Sequence, residues 1–433
     1  MFGHFRRRSP VIPGTNTRSR VARTKAKTGF HIVLIHYIYG RLSFSTMVIP
    51  IAVFVFTTTM ALAASVRTKP RVHIILADSL LSVLKSGEDM EHHIEGITRI
   101  SGRSPGSEFS INHRYEMLNG YSAHVTGASL SRIFSCPEVE YVEADAIVSI
   151  YDGLHEVNEG LVTEVNDVPA ELRDDPGELG GRASRKPVEI ILGDSGIDRK
   201  HPWFLNRDGR PAVDDGDAFV DFNGHGTMVA GRAVGNIYGV TTWPTIFSIK
   251  VFSKSGTAPT TNVIAAVQLA CDRFASTRFH TIFIISFATE FDRILNKVVN
   301  DAVRRGLHIV VPAGDHNINV KESVSPATAV RAIAVGAIES CGPTRVASFS
   351  NYGPAVNIFA EGTSALVPLN GGGWGTASGT AMSAALVAGL LADRLSHQDN
   401  LVSPRQLKQD LTSHAIKDVR DPTGTNKWRA VRF

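Results

Sequence analysis

The sequence predicts an α/β protein built on a doubly wound parallel sheet with helices on both faces, preceded by a small ferredoxin-like α+β domain. Three observations carry this. Between residues 188 and 311, short apolar runs alternate with segments of helical periodicity, the pattern of parallel strands joined by crossover helices. Residues 71–150 carry a second, shorter β-α-β-α-β pattern. Between the two, residues 151–186 are rich in acid, Gly and Pro without apolar periodicity, and read as a linker.

In the first domain, residues 72–76 (VHIIL) read as a strand and residues 88–100 as a helix, with room for a further strand at 109–117. Residues 121–125 alternate as a strand after the turn dipeptide Asn119-Gly120. A short helix at 130–134 and a last strand at 139–150 complete the set. In the second domain, 187–433, strands are expected at 188–192, 247–252, 281–285 and 307–311. Helices are expected at 261–275, where Val263, Ile264, Val267, Leu269 and Ala270 recur with helical spacing, and at 294–305. After Ser396 the pattern offers one amphipathic helix, at 404–414.

Charge is divided along the chain. Residues 1–77 hold 12 Lys and Arg and no acid; the remainder, with 33 basic and 41 acidic side chains, has a net charge of −8. The basic character therefore belongs to the N-terminal extension, 1–46, and an acidic body argues against nucleic acid as a partner. Residues 47–64 form an apolar run that ends in Ala61-Leu62-Ala63 with Arg41 ahead of it. This is a signal peptide if the chain starts at Met47, or a membrane-anchoring signal if it starts at Met1; the upstream part is also compatible with a gene-model artefact. Secretion, or anchorage at the membrane, is expected. Cys136, Cys271 and Cys341 show no metal-ligand spacing and, being odd in number, cannot all pair internally.

Two short motifs carry chemistry. Asp194-Ser195-Gly196 follows a buried-type strand, which places a carboxylate at the carboxyl edge of the sheet, where open α/β sheets build their sites. Asn223-Gly224-His225-Gly226-Thr227 sets an imidazole at a helix start. Alone, the first is an ordinary turn and the second a loop with a structural histidine. In this order they resemble the Asp and His motifs of subtilisin-like serine proteases, whose triad runs Asp, His, Ser.

The resemblance extends through IKVFSKSGTAPTTNVIAAV, VVPAGDHN, SPATAVRAIAVGAIES, ASFSNYGPAVNIFAEGTS and SGTAMSAALVAGLLA, and is nearest to the proteinase K-like branch. In the first domain, NGYSAHVTGASLSRIFSCPEVEYVEADAIV resembles the second half of the inhibitor-type (I9) propeptide of that family. Residues 71–150 are thus expected to be a propeptide docked on the groove of the peptidase-like domain. The resemblance implies a protein or peptide as partner and no cofactor.

The site departs from the family. Its serine motif, Gly-Thr-Ser-Met-Ala, here reads Gly379-Thr380-Ala381-Met382-Ser383, so Ala381 holds the nucleophile's place. A methyl group cannot attack a carbonyl. Ser383, two positions on, lies roughly 200° around the helix and should point away; Ser378 precedes the motif. The oxyanion pattern Ala-Gly-Asn reads Ala313-Gly314-Asp315, and an ionised Asp315 accepts hydrogen bonds but donates none, whereas a protonated one donates. The substrate-pairing stretch Ser-Leu-Gly-Gly becomes Ser286-Phe287-Ala288-Thr289, whose larger side chains are expected to crowd a bound peptide. Met228, Glu361 and Ala385-Leu386 replace the family's His, Pro and Pro-His. At Val356-Asn357-Ile358 a neutral Asn stands where that branch has a calcium-binding Asp, so no strong calcium site and no other metal is expected. The favoured reading is an inactive pseudoprotease. The alternatives are an endopeptidase with a non-standard nucleophile and a non-functional gene product.

Overall fold

The computed structural model describes residues 79–150, 156–162, 185–205, 212–213, 220–235, 239–241, 244–321, 323–339, 344–420 and 426–433. The N-terminal extension, the apolar run at 47–64, the expected strand at 72–76 and Cys341 lie outside the described residues. Among the described residues no helix is long and apolar enough to cross a membrane.

The small domain runs β1 (Leu80–Leu84), α1 (Met90–Ser101), β2 (Phe109–Tyr115), β3 (Gly120–Val125), α2 (Gly127–Ser135) and β4 (Val139–Ala144). Its sheet has the order β2-β3-β1-β4 with antiparallel neighbours throughout, the ferredoxin-like arrangement. The first strand of that sheet is Leu80–Leu84. It is buried on both faces: Leu84 packs with Ile94 and Tyr121 under α1, and Leu81 and Val83 join the core of the large domain. Asp89 starts α1 by accepting from the His92 N–H at 3.1 Å.

The strand expected at 139–150 is broken, with β5 (Ile147–Ser149) separate from β4. At the break the backbone leaves the small sheet to meet the large domain. The Asp145 carboxylate accepts from Thr261 N at 3.1 Å and Thr261 Oγ1 at 2.5 Å, and the Ala146 carbonyl accepts from Thr260 N at 2.7 Å. The next strand, β6 (Glu156–Val162), lies inside the segment read as a linker. EVNEGLV carries no apolar alternation; what orders it is backbone pairing to another strand.

The large domain continues β7 (Val188–Asp194), the single turn α3 (Pro202–Leu205), β8 (Ala212–Val213), α4 (His225–Val234), β9 (Thr245–Lys250), β10 (Thr257–Pro259), α5 (Thr260–Thr277), β11 (His280–Ile285), β12 (Thr289–Glu290), α6 (Arg293–Arg304) and β13 (His308–Pro312). There follow β14 (Val324–Ser325), β15 (Ile333–Ile338), β16 (Ile358–Glu361), β17 (Ala365–Pro368), β18 (Trp374–Ser378), α7 (Thr380–Ser396), α8 (Pro404–His414), β19 (Ile416–Arg420) and β20 (Asn426–Arg429). The central sheet has the order β19-β20-β16-β15-β13-β11-β7-β9-β8 and is parallel apart from β19. The chain builds outward from β7 to β9, then returns across β7 to β11. The site edge of the sheet is therefore at β7.

One face of the sheet, with Ile191, Phe247 and Phe283, is covered by Val263, Val267 and Val298 of α5 and α6. The other, with Ile190, Leu192 and Ile284, is covered by α4, α7 and α8. Helix α7 is apolar on nearly every side and buried along most of its length, as a helix in the centre of a layered domain must be. The two C-terminal strands were not visible in the sequence pattern. IKDVR and NKWR are mixed polar segments, held at the sheet's edge by pairing and by the Arg429–Asp418 ion pair at 2.7 Å. The described cysteines, Cys136 and Cys271, are free and buried.

The small domain docks by the face of its sheet. β5 pairs antiparallel with β10, and Ile150 N donates to the Gly256 carbonyl at 3.0 Å. The Tyr115 hydroxyl donates to the Thr261 carbonyl at 3.0 Å, and Met117 N to Gln268 Oε1 at 3.0 Å. Tyr115, Met117, Leu118, Val148 and Ile150 belong to the same apolar cluster as α5, so the two domains share one core.

Candidate active site

Three adjacent parallel strands deliver the first groups. Asp194 ends β7, Ser286 follows β11, and Ala313-Gly314-Asp315 follows β13. The other groups stand at the starts of two helices, α4 and α7, that pack directly against each other.

Asp194 is fully buried, and both its oxygens lie 2.9 Å from His225 Nδ1, which donates to them. Its Oδ1 also accepts from Ser195 N at 2.6 Å. His225 opens α4 behind Gly224, whose φ of 97° favours glycine. Gly226 must be glycine for another reason: a Cβ there would run into the Gly196 carbonyl oxygen and the Asp194 side chain.

His225 is completely buried, and its Nε2 has no hydrogen-bond partner among the described residues. Burial alone pulls the imidazole toward its neutral form. The charge and hydrogen bond of Asp194, with the charges of Asp221 and Asp315, outweigh that and raise its pKa above the ordinary histidine value.

Asp221 is a site residue that sequence reasoning missed. Its Oδ1 accepts from Ser195 Oγ, Asn223 N and Gly224 N at 2.9, 3.1 and 2.7 Å. Its Oδ2 accepts from Thr227 N and Oγ1 at 2.9 and 2.6 Å. One buried carboxylate thus ties the Asp194 turn to the first turn of α4. The available signal was an acid two residues ahead of an Asn-Gly-His helix start. Asn351 was also missed: its Oδ1 accepts from His316 N and Ile318 N and its Nδ2 donates to the Ala313 carbonyl, which fixes the loop that carries Asp315.

Asp315 is brought to the start of α7. Its Oδ1 accepts from Thr380 N at 3.0 Å and Thr380 Oγ1 at 2.6 Å, and Thr380 Oγ1 accepts from Gly314 N at 3.0 Å. The acidic side chain suits the positive end of a helix. Ala381, next in the chain, is fully buried in the first turn of α7. The neighbouring hydroxyls are engaged elsewhere. Ser383 Oγ donates to the Ala360 carbonyl at 3.0 Å, and Ser378 Oγ accepts from Ser364 N at 3.0 Å.

The remaining expected residues fall into two groups. Ser286 is buried and its Oγ donates to the Gly193 carbonyl at 3.2 Å. The Phe287 ring packs edge-to-face on Phe252, centroids 5.4 Å apart, and Ala288 is buried beside it. Among the described residues, the ladder of β5 is made with β10 and not with 286–288. Asn357 Oδ1 accepts from Ala334 N at 2.9 Å, so the carboxamide is used by the backbone. Cys136, which has no metal-ligand spacing to the other cysteines in the sequence, meets His93 and Glu138 in the small domain.

Comparison with known proteins agrees with this architecture. Residues 186–429 match the model of the subtilase family, and residues 59–151 match that of peptidase inhibitor I9. A cuticle-degrading serine protease of Arthrobotrys oligospora is 31% identical over 368 residues, covering 79% of this chain and 86% of the relative. Subtilisin-like protease 1 of Trichophyton rubrum is 28% identical, covering 79% of this chain and 69% of its own. Among solved structures, a cold adapted subtilisin-like serine proteinase superposes with a TM-score of 0.51 at 30% identity, over 57% of this chain and 89% of that one. Fervidolysin from Fervidobacterium pennivorans, at 18% identity and a TM-score of 0.63, covers 84% of this chain and 61% of its own, and shares the fold. This chain belongs to the subtilase family of serine proteases and carries an I9-type propeptide domain ahead of its peptidase-like domain.

Proposed function

We propose that this subtilase homologue is a pseudoprotease: Asp194, His225 and Ala381 occupy the three triad positions, and the third has no nucleophile. The observation that carries the reading is the pairing of a complete Asp194–His225 dyad, whose buried Nε2 has no partner among the described residues, with a methyl side chain at 381. A serine hydroxyl would satisfy that nitrogen and receive its activation from it; alanine does neither. Asp315 at the oxyanion position supports the same conclusion, because its carboxylate is occupied in accepting from Thr380 and an ionised acid repels a developing oxyanion.

Self-cleavage releases subtilase propeptides, so a chain without a nucleophile keeps its own. The uncut arrangement is physically reasonable: Ile150 is bonded to Gly256, and Glu156 sits opposite Ser378, three residues before Ala381. With the groove covered by its own propeptide, the molecule acts by binding protein or peptide on another surface. The apolar run at 47–64 supports export from the cell. Incubating the purified chain with a casein-type substrate tests this. The expected result is no turnover and one uncut species; turnover that survives removal of contaminating proteases overturns it.

A further inference from the structure

Outside the peptidase-like site, the small domain gathers three side chains of metal-ligating chemistry around one point. His93 lies in α1, Cys136 is the residue that ends α2, and Glu138 precedes β4. His93 Nδ1 is 3.0 Å from Glu138 Oε2 and 3.6 Å from Cys136 Sγ, and Sγ is 3.3 Å from the same carboxylate oxygen. His93 and Cys136 are only 3% and 2% exposed, so neither is a loose surface group.

From this we infer that His93, Cys136 and Glu138 form a zinc site. One nitrogen, one sulfur and one oxygen are the donors zinc takes, with bond lengths of about 2.0–2.3 Å. Placed tetrahedrally at those lengths, the donor atoms stand about 3.4–3.6 Å apart. The observed triangle needs to open by only a few tenths of an ångström to admit the ion. Thiolate and carboxylate together balance its double charge. The other ring nitrogen of His93 lies 3.0 Å from the buried Tyr121 hydroxyl, the outer contact that fixes the ring of a ligating histidine with Nδ1 facing inward. Glu138 is the exposed member, with a third of its side chain accessible, and borders a cleft lined by Arg99, Arg103 and Arg132. The fourth position faces that cleft and takes a solvent ligand. The ion would tie α1 to the α2–β4 turn and so stabilise the domain that docks on the peptidase-like groove.

The test uses the purified full chain, stripped with a chelator and titrated with zinc alone against a chromophoric competitor. One equivalent should bind, and cobalt in its place should show a thiolate-to-metal absorption band. Cys136→Ser should remove the band and weaken zinc binding by more than tenfold; Tyr121→Phe should keep the band and weaken binding about 10–100-fold. A measurement on the unaltered chain guards against misfolded variants: zinc should slow alkylation of Cys136 while leaving Cys271 unaffected. No retained zinc, a cobalt spectrum without the thiolate band, or equal alkylation of Cys136 with and without zinc overturns the site.

Discussion

Replacing Ala381 with serine should restore chemistry, but only part of the rate. His225 is already held through Nδ1 at 2.9 Å from Asp194, and its Nε2 has no partner among the described residues, so a hydroxyl at 381, the third triad position, meets a prepared base. Loss of the nucleophile costs about 10⁶ in kcat, a value measured on subtilisin, a member of this family. A381S can recover up to that factor. A second deficit then remains at Asp315, whose Oδ1 accepts from Thr380 N at 3.0 Å and offers no donor to an oxyanion. Losing one such donor costs about 10²–10³, again known from subtilisin. The double variant A381S/D315N should therefore exceed A381S by about 10²–10³, while D315N alone stays inert. The assay is self-cleavage between the small and large domains, followed by mass spectrometry, then casein turnover by the processed enzyme. A folded double variant with no cleavage would refute the assignment of 194, 225 and 381 as a triad missing one group. Equal rates for the single and double variants would refute the role given to Asp315.

Other consequences concern the docked small domain and the site's packing. Removing the Asp145 carboxylate (D145A) strips α5 of an acceptor for Thr261 N and Oγ1, and should loosen docking by about 1–2 kcal/mol; faster hydrogen exchange at the β5–β10 ladder would report it, and unchanged exchange would argue against it. Burial, and then the nearby Asp292 carboxylate, raise the Glu143 pKa to about 7 against the opposing pull of Arg293. The docked state thus favours the neutral acid. This contribution is complete below about pH 4.3 and is lost as pH rises through about 7, so docking should weaken toward alkaline pH. Limited proteolysis across that range should show the trend, and Glu143→Gln should flatten it. Gly226→Ala would force its methyl into the Gly196 carbonyl and should lower stability by about 1–3 kcal/mol in thermal unfolding, with an unchanged Tm the contrary result.

The buried strands around Ile190, Phe283 and Val310 were legible because a parallel sheet covered on both faces writes itself as continuous apolar runs. Asp194 and His225 were legible because turn glycines and a helix start frame them. Less could be read where backbone pairing, not side-chain pattern, orders the chain. β6, β19 and β20 are of this kind, as is the break at Asp145, which is set by a helix in the other domain. Spacing gives a side chain's position along the strand but not the pocket its ring finds, which for Phe287 lies against Phe252. Asp221 ties the Asp194 turn to α4 through Ser195, 26 residues away, and in the His93–Cys136–Glu138 cluster His93 and Cys136 are 43 residues apart, a separation with no local signature.

The most direct check on the missing nucleophile is intact-mass spectrometry of the wild-type chain after exposure to a fluorophosphonate probe, with A381S treated in parallel. An adduct is expected at 381 on the variant and none on the wild type. A stoichiometric adduct on the wild-type chain at Ser378, Ser383 or any other hydroxyl would contradict it.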